Sequence, residues 1–184
     1  MASLPKTATV TYEEWLRMPE TEGREEVVNG EIHIKPAASS THARIVARVS
    51  RPFILQLDLD RFDILTGSFG VIIHTQPLTS RVPDLAVFDR ANVVVIDGYY
   101  HSAPQLAVEV LSPSQTRRMT DEKLRDYESI GIEEVWLISP QAGSVEILLL
   151  HDGKLRQSQI LTSGVLKPKH FPGVQIDISG IWPD

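Results

Sequence analysis

The sequence predicts one mixed α/β domain over residues 1–184, with a core over about residues 24–150. Its 184 residues are 42% hydrophobic and 23% charged, values typical of a globular domain that buries a core. Helical apolar spacing alternates with short strand-like apolar runs, which indicates helices packed against a sheet. No internal repeat, low-complexity tract or linker divides the chain.

A short N-terminal helix is the first predicted element. Thr11-Tyr12-Glu13-Glu14 has the pattern of a capping box, in which Thr11 and Glu14 each accept a backbone hydrogen bond at the helix start. The helix should reach about Met18 and stop before Pro19.

A tight hairpin follows over residues 25–34. The Asn29-Gly30 pair tolerates the positive φ angles of a two-residue turn. Either Glu25 or Glu26 must face inward, because side chains alternate along a strand, and the sequence leaves the choice open.

A longer helix is predicted from His42 to about Leu57, with a kink or an end near Arg51 caused by Pro52. One face of this helix carries arginines at spacings of four and three residues: Arg44, Arg48 and Arg51. This face and the group Arg117 and Arg118 could meet phosphates, and solvated helix faces are at least as consistent with each of them.

The middle of the chain has the pattern of strands. The predicted strands are Phe62 to Thr66, Phe69 to His74, Pro83 to Phe88 and Gln105 to Leu111. Residues 89–104 form a connection that could include a short strand at residues 93–95.

A second helix, a buried strand and a C-terminal hairpin complete the pattern. The helix should begin at Arg118 or Thr120 and end at Ile130, before Gly131. The strand covers Glu134 to Ser139. The hairpin joins residues 144–150 and 154–161 through Asp152-Gly153, and the tail rich in Pro and Gly should be irregular.

Composition excludes several classes of protein. The absence of cysteine rules out disulfides, thiolate zinc sites and a thiol nucleophile, and it favours a cytoplasmic protein. No apolar run is long enough to cross a membrane, and the N-terminal residues lack the pattern of a secretory signal. A net charge of −6 argues against a protein that coats nucleic acid, but less against a nuclease with a local basic surface.

Two carboxylates, Asp84 and Glu109, form the strongest candidate site. Asp84 begins one predicted strand and Glu109 lies near the end of the next, so antiparallel pairing would make them neighbours. Glu109 interrupts the apolar run Leu106 to Leu111, where an unpaired carboxylate would cost several kcal/mol. A divalent ion would relieve the repulsion between the two acids. The alternative is that Glu109 pairs with a lysine or arginine and only stabilises the fold.

Lys123 lies at the border of the apolar side of the second helix, next to Leu124 and four residues before Tyr127. Its ammonium group could face the same sheet edge and stabilise negative charge on a hydroxide or a phosphate. On position alone, a solvated helix lysine is equally consistent.

Other motifs indicate no catalytic chemistry. Ser112-Pro113-Ser114 lacks the glycine turn around a serine nucleophile and is ordinary turn sequence. The six histidines lack tight metal-binding spacing, and His42 at a helix start is more often a capping or surface residue.

The ordered set of these motifs resembles a known family. The segments that bear the resemblance are Arg24-x-Glu26-x-x-Asn29-Gly30-Glu31, His42, Val82-Pro83-Asp84, Val108-Glu109-Val110-Leu111-Ser112-Pro113-Ser114, Lys123-x-x-x-Tyr127-x-x-x-Gly131 and Glu134-Val135-Trp136-Leu137-Ile138. Together they are similar to the Uma-type restriction-endonuclease-like family of the PD-(D/E)XK nuclease superfamily, over roughly residues 11–150.

The resemblance implies a fold and an activity. The fold is a three-layer α/β/α restriction-endonuclease-like core around a mixed sheet, with the N-terminal helix and hairpin and the C-terminal hairpin added. The activity is a Mg²⁺-dependent (or Mn²⁺-dependent) endonuclease that hydrolyses DNA with metal-activated water. A homodimer is consistent with cutting both strands.

The resemblance also implies residue roles. Asp84 and Glu109 would bind the metal together with the carbonyl of Val110. Lys123 and Glu26 would join the two acids as catalytic residues, with His42 in support.

Two departures from the family pattern bear on this assignment. The superfamily places a lysine two residues after the second acid, where this chain has Leu111, so Lys123 would take that role from the next helix. Met119 stands where relatives often have aspartate.

Two alternatives belong to other functional classes. One is an inactive nuclease-fold module for protein or nucleic-acid binding, which the net charge and Leu111 favour. The other is a glycosidase with two carboxylates, which the lack of an aromatic-rich stretch near either acid disfavours.

Overall fold

The computed structural model describes residues 9–19, 24–67 and 69–183. Within these ranges the α-helices are α1 (Tyr12–Leu16), α2 (Ser40–Gln56) and α3 (Arg117–Ser129). The strands are β1 (Arg24–Val28), β2 (Glu31–Lys35), β3 (Phe62–Thr66), β4 (Val71–Thr75), β5 (Leu78–Arg81), β6 (Leu85–Asp89), β7 (Val95–Ile96), β8 (Tyr99–Tyr100), β9 (Leu106–Val110), β10 (Glu134–Ser139), β11 (Ser144–His151), β12 (Lys154–Leu161), β13 (Val165–Leu166) and β14 (Ile176–Asp177). Short 3-10 turns cover Arg90–Asn92 and Ile178–Gly180.

The main sheet has the order β12-β11-β10-β9-β6-β3. β9 and β10 are parallel and the other neighbours are antiparallel, so the sheet is mixed. β9 lies inside the sheet, with layers on both faces, which explains why every residue from Leu106 to Val110 is buried.

A second sheet has the order β2-β1-β5-β4-β8-β7. Its first hairpin turns at Asn29 and Gly30, both with positive φ, as the sequence predicts. The capping box of α1 is also confirmed, because the Thr11 side chain accepts from the Glu14 amide and the Glu14 carboxylate accepts from the Thr11 amide.

Helices cover the two faces of the main sheet. On one face, Ile45, Val49 and Phe53 of α2 pack in a cluster with Trp136 of β10. On the other face, Tyr127 of α3 packs with strand residues of the main sheet and with β4. These layers confirm the predicted α/β/α architecture with a mixed sheet, and the second sheet lies beside α3.

The predicted extent of the helix to about Leu57 is confirmed, and an end near Arg51, one of the two effects expected of Pro52, does not occur. α2 continues through Pro52 to Gln56, although proline removes a backbone donor and such an interruption costs about 3 kcal/mol. Val49 and Phe53, on either side of Pro52, are both buried in the core, and their packing stabilises the continued helix.

Three other parts of the chain differ from the predictions. β5, with the polar sequence Leu78-Thr79-Ser80-Arg81, was not expected as a strand, because its residues are buried between other strands without an alternating apolar pattern. The tail forms β13 and β14 and contributes buried side chains, including Phe171 and Val174, to the same cluster as α2. The connection over residues 89–104 contains a hairpin at Asp97-Gly98, with its first strand one or two residues later than predicted.

No helix in the described ranges is long and apolar enough to cross a membrane.

The packing of α2 gives a first prediction. Phe53→Ala should lower the free energy of unfolding by about 3–5 kcal/mol, because it opens a cavity between α2 and the main sheet. Urea denaturation measures this change. Leu55→Ala is the control on the same helix, since Leu55 is 69% exposed and its loss should shift the free energy by about 0.5 kcal/mol or less. Equal effects of the two substitutions would contradict the packing described for α2.

Candidate active site

The strand pairing brings Asp84 and Glu109 to one end of the main sheet. β6 and β9 are antiparallel, with Leu85 opposite Val108, so the preceding Asp84 and the following Glu109 are neighbours across the pair. Both side chains are nearly buried, with 4% and 5% exposure, and both line one cleft. The two acids are therefore neighbours in the fold, as the sequence predicts.

The cleft has a volume of about 560 Å³. Every residue predicted for the site lines it: Glu26, His42, Asp84, Glu109, Val110 and Lys123. Three further cations line it as well: Arg24, Lys35 and Arg81. Met119 also lines the cleft.

Asp84 is fixed from three directions. Its Oδ2 atom accepts a hydrogen bond of 2.7 Å from the backbone N–H of Val110. Its Oδ1 atom lies 2.5 Å from Nη1 of Arg24 and 3.1 Å from Nε2 of His42. Burial alone would raise the pKa of Asp84, but the His42 hydrogen bond and the Arg24 charge hold it well below its usual range. Asp84 is therefore a carboxylate at neutral pH.

Glu109 is paired with Lys123 and Tyr127. The Lys123 ammonium lies 2.7 Å from the Glu109 carboxylate, and the Tyr127 hydroxyl donates a hydrogen bond of 2.5 Å to it. Burial raises the pKa of Glu109, and the charge of Lys123 opposes that rise. Burial, followed by the charge of Glu109, raises the pKa of Tyr127 well above its ordinary value, so this hydroxyl keeps its proton and donates.

Lys123 connects two acids of the cleft. Besides Glu109, its ammonium lies 2.9 Å from Oε1 of Glu26 and donates to the Val82 carbonyl at 3.1 Å. Burial would lower the pKa of Lys123, but the carboxylates around it outweigh burial and raise the pKa, so Lys123 is protonated. The solvated position that the sequence left open does not occur, because Lys123 is 3% exposed.

Glu26, and not Glu25, faces the cleft. Its carboxylate accepts from the Val82 amide and pairs with Lys35 at 2.9 Å and with Arg81 at 3.2 Å. Burial opposes its ionisation, but the charges of Lys123 and Lys35 hold the pKa of Glu26 well below its usual range. Glu25 instead accepts a hydrogen bond from the Trp15 indole.

The donors suit a hard divalent ion in their chemistry. Asp84, Glu109 and the main-chain carbonyl of Val110 offer oxygen atoms, which Mg²⁺ prefers. The two carboxylates are also bound to protein cations, and among the described residues no group of three or more His, Asp or Glu side chains is arranged as a metal site. An ion at this position would therefore compete with Arg24 and Lys123.

The arginines of α2 lie outside this arrangement. Arg44 and Arg51 are exposed, and Arg48 donates to the Trp182 carbonyl of the C-terminal tail. Neither they nor Arg117 and Arg118 line the cleft.

Comparison with known proteins identifies the family. The sequence profile of the Uma2 family, described as "Putative restriction endonuclease", matches residues 12–179. The chain belongs to the Uma2 family. The resemblance inferred from the ordered motifs is thereby confirmed.

A solved structure supports the fold. The crystal structure of "a putative nuclease belonging to DUF820" from Anabaena variabilis ATCC 29413 is similar to this chain with a TM-score of 0.76 and 20% sequence identity. The match covers 94% of this chain and 97% of the other. At this identity the likeness concerns the fold alone. A comparison with curated proteins gave no significant match.

Sequence reasoning missed the roles of three cations that line this Uma2 cleft, Arg24, Lys35 and Arg81, and of the Tyr127 hydroxyl, which donates to Glu109. Arg24 and Lys35 are opposite each other in the first hairpin, and alternation from Arg24 leads to Glu26 on the same face. That pattern was visible in the sequence. Arg81 lies on the unexpected strand β5, and Tyr127 was interpreted only as an apolar contact of α3.

The buried ion pairs predict a large effect of removing Lys123. Lys123→Met should lower the free energy of unfolding by about 3–5 kcal/mol, because Glu109 and Glu26 lose a buried partner. Lys154→Met is the matched control, since the Lys154 side chain is 63% exposed and its pair with Glu128 should contribute about 1 kcal/mol or less. Chemical denaturation of the three proteins tests this. Similar small losses in both variants would show that Lys123 is not the central partner.

The charge of Glu26 predicts a pH dependence of stability. Because its folded-state pKa lies below the ordinary value of 4.5, Glu26 stabilises the fold above that pH and loses this contribution as the pH falls. Glu26→Gln should therefore be less stable than the wild type at pH 7, and the gap should narrow below pH 4.5. Urea titrations at several pH values measure the gap. The exposed Glu31→Gln, in the same hairpin, should show little difference at any of them, and a gap for Glu26→Gln that widens in acid would refute the assignment.

Proposed function

We propose that this chain is a Mg²⁺-dependent or Mn²⁺-dependent endonuclease that hydrolyses phosphodiester bonds of DNA. The observation that supports it most is that Asp84, Glu109 and Lys123 line one cleft in a member of a restriction-endonuclease family. Two carboxylates next to a protonated amine are a suitable set for binding a metal and stabilising a phosphate.

In this proposal, Asp84, Glu109 and the Val110 carbonyl hold the metal. A divalent ion supplies activation of a water molecule at neutral pH and stabilisation of charge on the phosphate. Asp84 is suited to bind it because its Oδ2 is anchored on the Val110 amide while its Oδ1 faces side chains of the cleft.

Lys123 supplies positive charge to the reacting phosphate. Its ammonium contacts Glu26 and the Val82 carbonyl as well as Glu109, so two of its three partners still hold it in place when an ion binds Glu109. Glu26 acts through Lys123 and is a positioning residue. His42 supports the site by its contact with Asp84.

The charges of the cleft are consistent with a DNA substrate. Among the described residues, the cleft is lined by four cations, Arg24, Lys35, Arg81 and Lys123, and by three carboxylates, Glu26, Asp84 and Glu109. This local excess of positive charge differs from the net charge of −6 of the whole chain. The cleft therefore attracts a phosphodiester, although the protein surface as a whole is negatively charged.

Two further parts of the proposal concern its setting. Cutting both strands of a duplex is simplest with two copies of the site, so the protein would act as a homodimer. The absence of cysteine suits work in the reducing cytoplasm.

A second function is supported by a specific observation. Each carboxylate that lines the cleft is already paired with a protein cation, as expected of an inactive nuclease-fold module that only binds nucleic acid or protein. Such a module would retain DNA equally well with and without Mg²⁺ and would leave it intact.

The nuclease proposal predicts that wild-type protein with Mg²⁺ or Mn²⁺ nicks or cuts supercoiled plasmid DNA. Asp84→Asn should lower the rate by at least about 100-fold, because it removes the charge of a metal-binding carboxylate. Gel electrophoresis of the plasmid measures the rate. EDTA should abolish the activity of the wild type.

The matched control is Asp121→Asn, an exposed residue of α3 that does not line the cleft. It should cut at the wild-type rate. Undiminished, metal-dependent cutting by folded Asp84→Asn would refute the site, and intact plasmid with the wild type in either metal would favour the binding module.

A further inference from the structure

Arg24, which pairs with Asp84, keeps one buried donor without a partner among the described residues. Its Nη1 atom pairs with Asp84 and its Nη2 atom donates to the Val82 carbonyl at 3.1 Å. Its Nε atom is buried and has no hydrogen-bond partner within the part of the chain that the structure describes. The guanidinium group therefore has unused donors in the floor of the cleft.

Lys123 differs from Arg24 in this respect. Its ammonium contacts Glu109, Glu26 and the Val82 carbonyl, and the side chain is almost fully buried. The Arg24 side chain is 17% exposed to the cleft. Of the two cations at the predicted metal ligands, Arg24 is the one that can move at lower cost.

Asp84 is arranged to release one partner and keep its position. Oδ2 is fixed by the backbone amide of Val110, whereas the partners of Oδ1 within the described ranges are the side chains of Arg24 and His42. Departure of Arg24 frees Oδ1 without releasing the carboxylate from the strand.

The charge balance of the cleft indicates which group Arg24 contacts after it leaves Asp84. In the described part of the chain, four cations already line the cleft against three carboxylates, so the two additional positive charges of the ion are unfavourable without an anion. A phosphodiester restores the balance, and a guanidinium fork matches two phosphate oxygens in geometry.

We infer that Arg24 substitutes for the divalent ion at Asp84 in the resting protein and moves to the substrate phosphate when ion and DNA bind. Arg24 is thus both a competitor of the ion and a contact of the reacting group. This inference rests on the proposed nuclease function, and it links binding of the ion to binding of DNA. Either ligand should bind more tightly in the presence of the other.

The test measures Mn²⁺ binding by isothermal titration calorimetry, without DNA. Arg24→Met should bind Mn²⁺ about tenfold more tightly than the wild type or better, because a charged hydrogen-bonded competitor for Asp84 is gone. The same variant should cut plasmid DNA at least about tenfold more slowly, since the phosphate loses a contact. A residue with only a structural role would not improve metal binding when it is removed.

Lys35→Met is the matched control for charge. Lys35 lines the same cleft but pairs with Glu26 and has no contact with Asp84, so its removal should tighten Mn²⁺ binding much less. Arg24→Lys, which keeps the charge without the fork, should bind Mn²⁺ with an affinity between those of the wild type and Arg24→Met. Arg24→Lys also replaces Arg24→Met as the test variant if Arg24→Met does not fold.

The outcomes separate the two proposals. If the wild type cuts DNA but folded Arg24→Met or Arg24→Lys binds Mn²⁺ no more tightly than the wild type, the exchange is refuted and the nuclease function stands. An equal gain in Mn²⁺ affinity for Lys35→Met also refutes the exchange, because loss of any positive charge from the cleft would then explain the tighter binding. A wild type that cuts no DNA overturns the nuclease proposal and the exchange with it.

Discussion

The buried ion pair between Lys123 and Glu109 is the interaction on which the arrangement of this protein depends. Glu109 occupies a strand whose other residues are apolar, and Lys123 lies on the inner side of a helix. Either charge alone would be costly in such a place. Together they join α3 to the centre of the main sheet. The buried carboxylate of Glu109 thus forms a contact between the helix layer and the sheet layer.

The same pair also sets the electrostatics of the cleft. Lys123 holds Glu26 in its ionised form, and Glu26 in turn holds Lys35 and Arg81. Asp84 forms a second group of contacts in the cleft, with Arg24 and His42. In such a network a divalent ion can bind the carboxylates only if it displaces the protein cations that are paired with them. These cations therefore affect the affinity of the site for a metal.

Family membership and geometry support different parts of the functional argument. The Uma2 match and the similarity to the Anabaena variabilis structure give the family and the fold. They do not state which residues act. The roles of Asp84, Glu109 and Lys123 are argued from burial, distance and charge in the cleft.

The sequence by itself determined the order of the elements and the pair of acids. Capping at Thr11, the turn at Asn29-Gly30 and the apolar runs are local patterns, and local patterns specify helices and strands without reference to the rest of the chain. The position of Glu109 in an apolar strand predicted that it would need a partner. Antiparallel pairing of the two strands was enough to predict its neighbour.

Only the tertiary structure decided which partners the acids have. Continuation of α2 through Pro52, the burial of the polar strand β5 and the packing of the tail depend on contacts between residues far apart in the chain. The same holds for Arg24 at Asp84 and for the choice of Glu26 over Glu25. A sequence pattern shows which side chains share a face of one element. The partner of a buried charge is fixed by packing between elements, which such a pattern does not contain.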